Sequence, residues 1–190
     1  MGHQGDMPNQ LTHCTAVVLI PPADLWEPIQ FIRREHDPQI GRWMPHVTLL
    51  YPFLPEAELS RAADVLRPLC AERAPFAVTL GEFRWFTHGG RSATLWLATE
   101  PSGPLMALHS SLLSAFPQCD HTARFAGGFT PHLSVGRWPA GRAGESAASL
   151  QAGWTPLGWP VDCISLIARP PRGLSPFVVQ DELPLGRAGD

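Results

Sequence analysis

The stretch Pro45-His46-Val47-Thr48-Leu49 has a later echo in Pro131-His132-Leu133-Ser134-Val135. Both read proline, histidine, aliphatic, hydroxyl, aliphatic, which is the alternation of a half-buried strand. Residues two apart on a strand share a face, so His46 projects with Thr48, and His132 with Ser134. Each strand then offers one imidazole that titrates near neutrality and one hydroxyl that donates to an oxyanion. Two such strands facing one another would place an acid, a base and two donors around a single anionic centre.

The short form of the pattern carries little information. Four of the eight histidines have a serine or threonine two residues on: His13, His46, His109 and His132. The five-residue form singles out His46 and His132. His109 lies in a stretch of helical periodicity, where a residue two along is on another face. His13 has neither the proline nor the aliphatic spacer.

Working outward, the chain alternates strands and helices. Cys14 to Ile20 is aliphatic and β-branched, a buried strand stopped by Pro21-Pro22. Ala23 to about His36 is a helix with Leu25, Ile29 and Ile32 on one face. The first histidine strand follows, then a helix from Pro55 to about Arg73 with Leu59, Ala62, Ala63, Leu66 and Leu69 at helical spacing, then a strand from Phe76 to Phe86. After a turn at His88-Gly89-Gly90 the order recurs: strand Ser92 to Ala98, helix Ser102 to Phe116, the second histidine strand, a short helix Gly144 to Ala152, and strands Val161 to Ala168 and Phe177 to Leu183. The two histidines stand 86 residues apart. The order predicts a duplicated α+β fold, with two antiparallel sheets and outer helices around a central cleft. The expected division is a polar tail over 1–13 and one domain over 14–186, built of lobes at about 14–88 and 91–186.

A chain of 190 residues with 44% hydrophobic content buries a substantial core. Its net charge of −3 offers no broad basic field for duplex DNA. All 14 basic residues are arginine. Cys14, Cys70, Cys119 and Cys163 are far apart with apolar neighbours, the pattern of free thiols. No apolar run is long enough for a membrane span and the start has no apolar signal-peptide core, so the default setting is cytoplasmic.

The paired motifs, together with Ile164-Ser165-Leu166 and Leu183-Pro184-Leu185-Gly186 near the end, resemble the two-histidine (2H) phosphoesterases, and within them the 2′-5′ RNA ligase-like proteins. The resemblance runs from about Cys14 to Gly186. It implies a bilobal fold with a pseudo-twofold cleft and metal-free, cofactor-free hydrolysis of cyclic phosphodiesters, notably RNA 2′,3′-cyclic phosphate ends. His46 and His132 match the family's histidines, and Thr48 and Ser134 its hydroxyl residues. Ser134 stands where threonine is common, and Tyr51-Pro52-Phe53 where many relatives run into glycine; the second departure bears on substrate choice.

The chemistry suits these side chains. A neutral imidazole is a base and an imidazolium an acid, while Thr48 and Ser134 would bond the non-bridging phosphate oxygens. A metal site would want His-x-His or a carboxylate pair, and neither motif has one. Arg137 is a candidate for a substrate phosphate, although a regular strand would point it away from His132 and Ser134. Tyr51, Phe53, Trp43 and Trp138 flank the motifs and are candidates for stacking on a base; His121 and Arg124 precede the second motif in a loop. The expected substrate is an RNA end or small cyclic nucleotide, and the expected state a monomer. A non-catalytic nucleotide- or RNA-binding module of the same fold, a 2′-5′ RNA ligase or phosphodiesterase, and a metal-dependent hydrolase remain as alternatives.

Overall fold

The computed structural model describes residues 10–125, 127–173 and 175–186. Among the described residues eight strands and four α-helices are formed: β1 Thr15–Leu19, α1 Trp26–His36, β2 Val47–Leu50, α2 Leu59–Ala71, β3 Phe76–His88, β4 Ser92–Glu100, α3 Ser102–Ala115, β5 His132–Pro139, α4 Ala143–Ala152, β6 Leu157–Val161, β7 Cys163–Ala168 and β8 Val178–Pro184. The strands make two four-stranded sheets, in the orders β2-β1-β7-β8 and β5-β4-β3-β6, with every pairing antiparallel. The duplicated α+β fold read from the chain order is the fold observed. β2 is the edge of one sheet and β5 the edge of the other, and these two edges pack together.

Local sequence accounts for most elements. Every helix follows a proline in extended conformation, Pro22, Pro55, Pro101 or Pro139; a proline there has no N–H to lose and stops the preceding segment. β1 is buried along its whole length. Val17 and Leu19 face the main core, while Ala16 and Val18 join Ile167 and Phe177 in a second cluster beneath Trp43 and Tyr51. Burying one Val or Leu side chain is worth about 1.5–3 kcal/mol, so an apolar run on both faces belongs in a sheet interior. The apolar faces of α1, α2 and α3 bury Ile29 and Ile32, Leu66 and Cys70, and Leu105, Leu108 and Leu112. All four cysteines are free thiols, Cys70 and Cys119 buried and Cys14 and Cys163 half-buried.

Three features differ from the reading of the sequence. The contiguous division into 14–88 and 91–186 is not the division of the sheets. Gly89 and Gly90, both at positive φ, fold β3 directly onto β4 as a hairpin, and the chain returns past Asp162 to add β7 beside β1 and then β8 beside β7. The expected strand Val161 to Ala168 is found as β7, Cys163–Ala168, beside β1, and it is preceded by a strand that was not expected, β6, beside β3. β6 escapes the sequence because Gly158 and Pro160 argue against a strand, yet it is an edge strand, where proline is tolerated. Residues 1–9 of the expected tail lie outside the described residues. Its end belongs to the body, since Thr12 exchanges backbone hydrogen bonds with Phe53 at 2.7 and 3.2 Å.

The helices cross between lobes: α1 packs on β5 and α3 on β2. At the first contact Gly136 sits at φ 147°, and a Cβ there would lie 2.6 Å from Cβ of His36 and 2.7 Å from its carbonyl oxygen. Gly136→Ala should therefore lower unfolding free energy by about 1–3 kcal/mol, read by urea denaturation. A variant as stable as the parent would show that the helix can yield at this contact.

Candidate functional site

Thr48 lies opposite Val18, and Ser134 opposite Trp96, so each hydroxyl stands on the edge strand of its own sheet. This register brings His46, Thr48 and Ser134 to one cavity and places His132 beside Thr48 in the adjoining one. Thr48 lines both cavities, so the expected imidazole and hydroxyl pairs converge on one cleft.

The two imidazoles are held alike. Nδ1 of His46 lies 2.7 Å from the Met44 carbonyl oxygen, and Nδ1 of His132 lies 2.7 Å from the Thr130 carbonyl oxygen. A carbonyl only accepts, so each Nδ1 carries hydrogen and Nε2 is the nitrogen that exchanges protons. Both rings are half-buried. His46 stacks on Trp43, with ring centres 4.6 Å apart, and Trp43 stacks in turn on Phe177 at 3.8 Å. His132 is met edge-on by Phe86 at 5.0 Å and Trp96 at 5.5 Å.

Burial pushes His46 down to about 4, against its Met44 hydrogen bond; the Arg33 guanidinium and His132 press it further down. Burial also lowers His132, opposed by its bond to Thr130. A charge on His132 therefore disfavours a second one on His46. Arg33 has no sequence signal beyond its place among charged helix residues. It is buried, bonding Asp37 and the Trp43 carbonyl at 2.8 and 2.7 Å, and so anchors the loop that carries Trp43 and His46.

The orientation of Arg137 turns on the regularity of its strand. Gly136 pairs with Leu95, but the next pairing is Ser134 with Trp96, so Val135 is an extra residue in β5. This bulge inverts the alternation. Arg137, opposite Thr94, shares the face of Ser134 and His132 and lines the cleft. Tyr51 lines both cavities, and its hydroxyl donates to the His13 carbonyl at 3.4 Å. Of the other flanking aromatics, Phe53 is wholly buried and Trp138 is nearly so, while Trp43 stacks on His46 and Phe177 and lines the cavity of His46. The cavity of about 580 Å³ beside His132 is walled instead by Trp85, Phe86, Phe125, Phe129, His109 and His121. His121 was a candidate from the sequence, whereas the place of Trp85, Phe86, Phe125 and Phe129 in this wall was not read, because an aromatic side chain has the same composition signal in a core as in a cleft. Arg124 lies over the Phe125 ring at 4.8 Å and lines neither cavity. Among the described residues, no three His, Cys, Asp or Glu side chains gather as a metal centre requires, and no helix is long and apolar enough to cross a membrane.

Two sheets joined at histidine-bearing edges define the LigT-like bilobal α+β class. Solved structures share the fold: TT0787 of Thermus thermophilus, with TM-score 0.63 and 18% identity over 93% of this chain and 100% of that one, and E. coli LigT complexed with 3′-AMP, with TM-score 0.62 and 21% identity over 91% and 98%. A Geobacillus kaustophilus protein bearing the name "Putative phosphoesterase" is 30% identical over 126 residues, 64% of this chain and 67% of its own length. Residues 21–172 match the 2′-5′ RNA ligase superfamily. The chain belongs to that superfamily, the two-histidine phosphoesterases.

The site has a consequence for stability. Unfolded chains protonate histidine near about 6.5, whereas His46 in the fold titrates at about 4. Between these values the unfolded state binds more protons, so stability conferred by the neutral ring is complete above the upper value and is lost as pH falls through the window. Urea unfolding at both ends of the window should show this loss, and His46→Gln should show a smaller one.

Proposed function

We propose that the chain is a metal-independent phosphodiesterase acting on RNA 2′,3′-cyclic phosphate ends or a related cyclic nucleotide, with His46 and His132 as general base and general acid. The observation that carries this reading is the matched tethering of both Nδ1 atoms, each to a carbonyl two residues earlier, which leaves two Nε2 atoms for proton transfer. In hydrolysis one Nε2 takes a proton from water as its oxygen attacks phosphorus. The bond from phosphorus to the 2′ or 3′ oxygen breaks, and that oxygen takes the proton from the other Nε2–H. Exchange with solvent restores the pair. Thr48 and Ser134 bond the non-bridging oxygens, and Arg137 adds a positive charge on the same face.

Support from relatives is of two kinds. Curated Geobacillus and Bacillus relatives bear a phosphoesterase name, and E. coli LigT has been solved with phosphate, 3′-AMP, ATP and NADP+. The family's description as 2′-5′ RNA ligase favours a second reading, in which a ribose hydroxyl replaces water and the same two histidines join ends. Tyr51 and the aromatic cavity beside His132 suit a flat base.

A panel of 2′,3′-cyclic nucleotides, cyclic-ended RNA and 2′-5′ dinucleotides, assayed in EDTA, tests the proposal. Turnover should persist, and His46→Ala and His132→Ala should each lose about a hundredfold or more while keeping the parent circular dichroism spectrum. Near-parental rates in either variant would refute the assignment. An anion between the rings favours their protonated forms, so the alkaline limb of kcat should lie above that of kcat/KM.

A further inference from the structure

The cleft does not end at Arg137. That side chain lines the cavity of His46, Thr48 and Ser134, and it also lines a second cavity of about 530 Å³ reached past it. The second cavity runs between β5 and α4. Its polar lining is His36, Arg142, Glu145, Ser146 and Ser149, beside the indole of Trp138. Arg137 and Arg142 are both exposed, and among the described residues neither forms an ion pair, nor does Glu145. Two guanidinium groups and two hydroxyls against one carboxylate leave the cavity a net site for an anion. The space on the other side of the imidazoles is of the opposite kind. It is aromatic, and no Arg, Asp or Glu among the described residues lines it.

This polarity orients what can bind. A phosphodiester at the imidazoles has an apolar, aromatic wall on one side and unneutralised arginines on the other. We propose that the cavity of Arg137, Arg142, Ser146 and Ser149 takes a second phosphate group of the substrate. The preferred substrates are then phosphodiesters that carry a further phosphate beyond the scissile one, and Arg142 is the residue that sets this preference. The inference rests on the phosphodiesterase reading above. The volume suits a nucleotide-sized group, and a guanidinium–phosphate contact is strong enough to be seen in kcat/KM. The second phosphate is either the diester of a preceding nucleotide or a terminal monoester; the chemistry recognised is the same.

The test compares kcat/KM for three substrates in EDTA: adenosine 2′,3′-cyclic phosphate, the same nucleotide bearing a 5′-phosphate, and a dinucleotide ending in a 2′,3′-cyclic phosphate. At least one substrate with two phosphates should exceed the first by about tenfold or more, and the arm that does so tells monoester from diester. R142Q should bring that ratio close to one, with an unchanged thermal midpoint because Arg142 is exposed. Raising salt should shrink the ratio in the parent and leave it flat in R142Q. Equal kcat/KM for all three substrates, or a preference that R142Q leaves intact, overturns the proposal. Absence of turnover on every substrate would instead refute the phosphodiesterase reading.

Discussion

The molecule depends on the meeting of two sheet edges. β2 and β5 are terminal strands of different sheets, and an edge strand has no neighbour beyond it to hold its side chains in register. Here each edge is braced by the other lobe, through α1 against β5 and α3 against β2. One close approach in that bracing is at Gly136, where the absent Cβ lets the end of α1 reach the strand. The same glycine adjoins the bulge at Val135, so the contact that unites the lobes also turns Arg137 into the cleft.

The electrostatics follow from this architecture. Burial favours neutral imidazole at both positions, and the backbone carbonyls of Met44 and Thr130 determine which nitrogen carries the hydrogen. Arg33 is buried nearby but committed to Asp37 and to the Trp43 carbonyl, so its charge serves the loop and depresses His46. Arg137 and Arg142 form no such pairs among the described residues. The interior arginine thus holds structure, and the exposed ones leave charge available to a ligand.

Much was legible where local chemistry and position agree. Proline stops, β-branched runs and helical spacing located nearly every element, because these preferences act within a few residues. The duplicated His-x-hydroxyl motif pointed to His46, Thr48, His132 and Ser134 because alternation on a strand is itself local. What stayed hidden involves distant partners. β6 contains Gly158 and Pro160 and is a strand only because β3 lies beside it. The aromatics Trp85, Phe86 and Trp96 have the composition of core residues. Their places in the sheet decide that Trp85 faces solvent at 45% exposure while Trp96 sits under Phe86.

By itself, the sequence determined the periodicities, the histidine–hydroxyl pairs on matched strands, and the recurrence that implies two lobes. Only the tertiary structure decided which strands share a sheet, that the histidine strands are both edges, and that Arg137 joins the cleft. The reason is physical. Periodicity is a property of the backbone between neighbours, whereas sheet membership is decided by which distant strand satisfies an exposed row of N–H and C=O groups. The orientation of Arg137 rests on one unpaired residue, Val135, which alternation read along the chain has no means of marking.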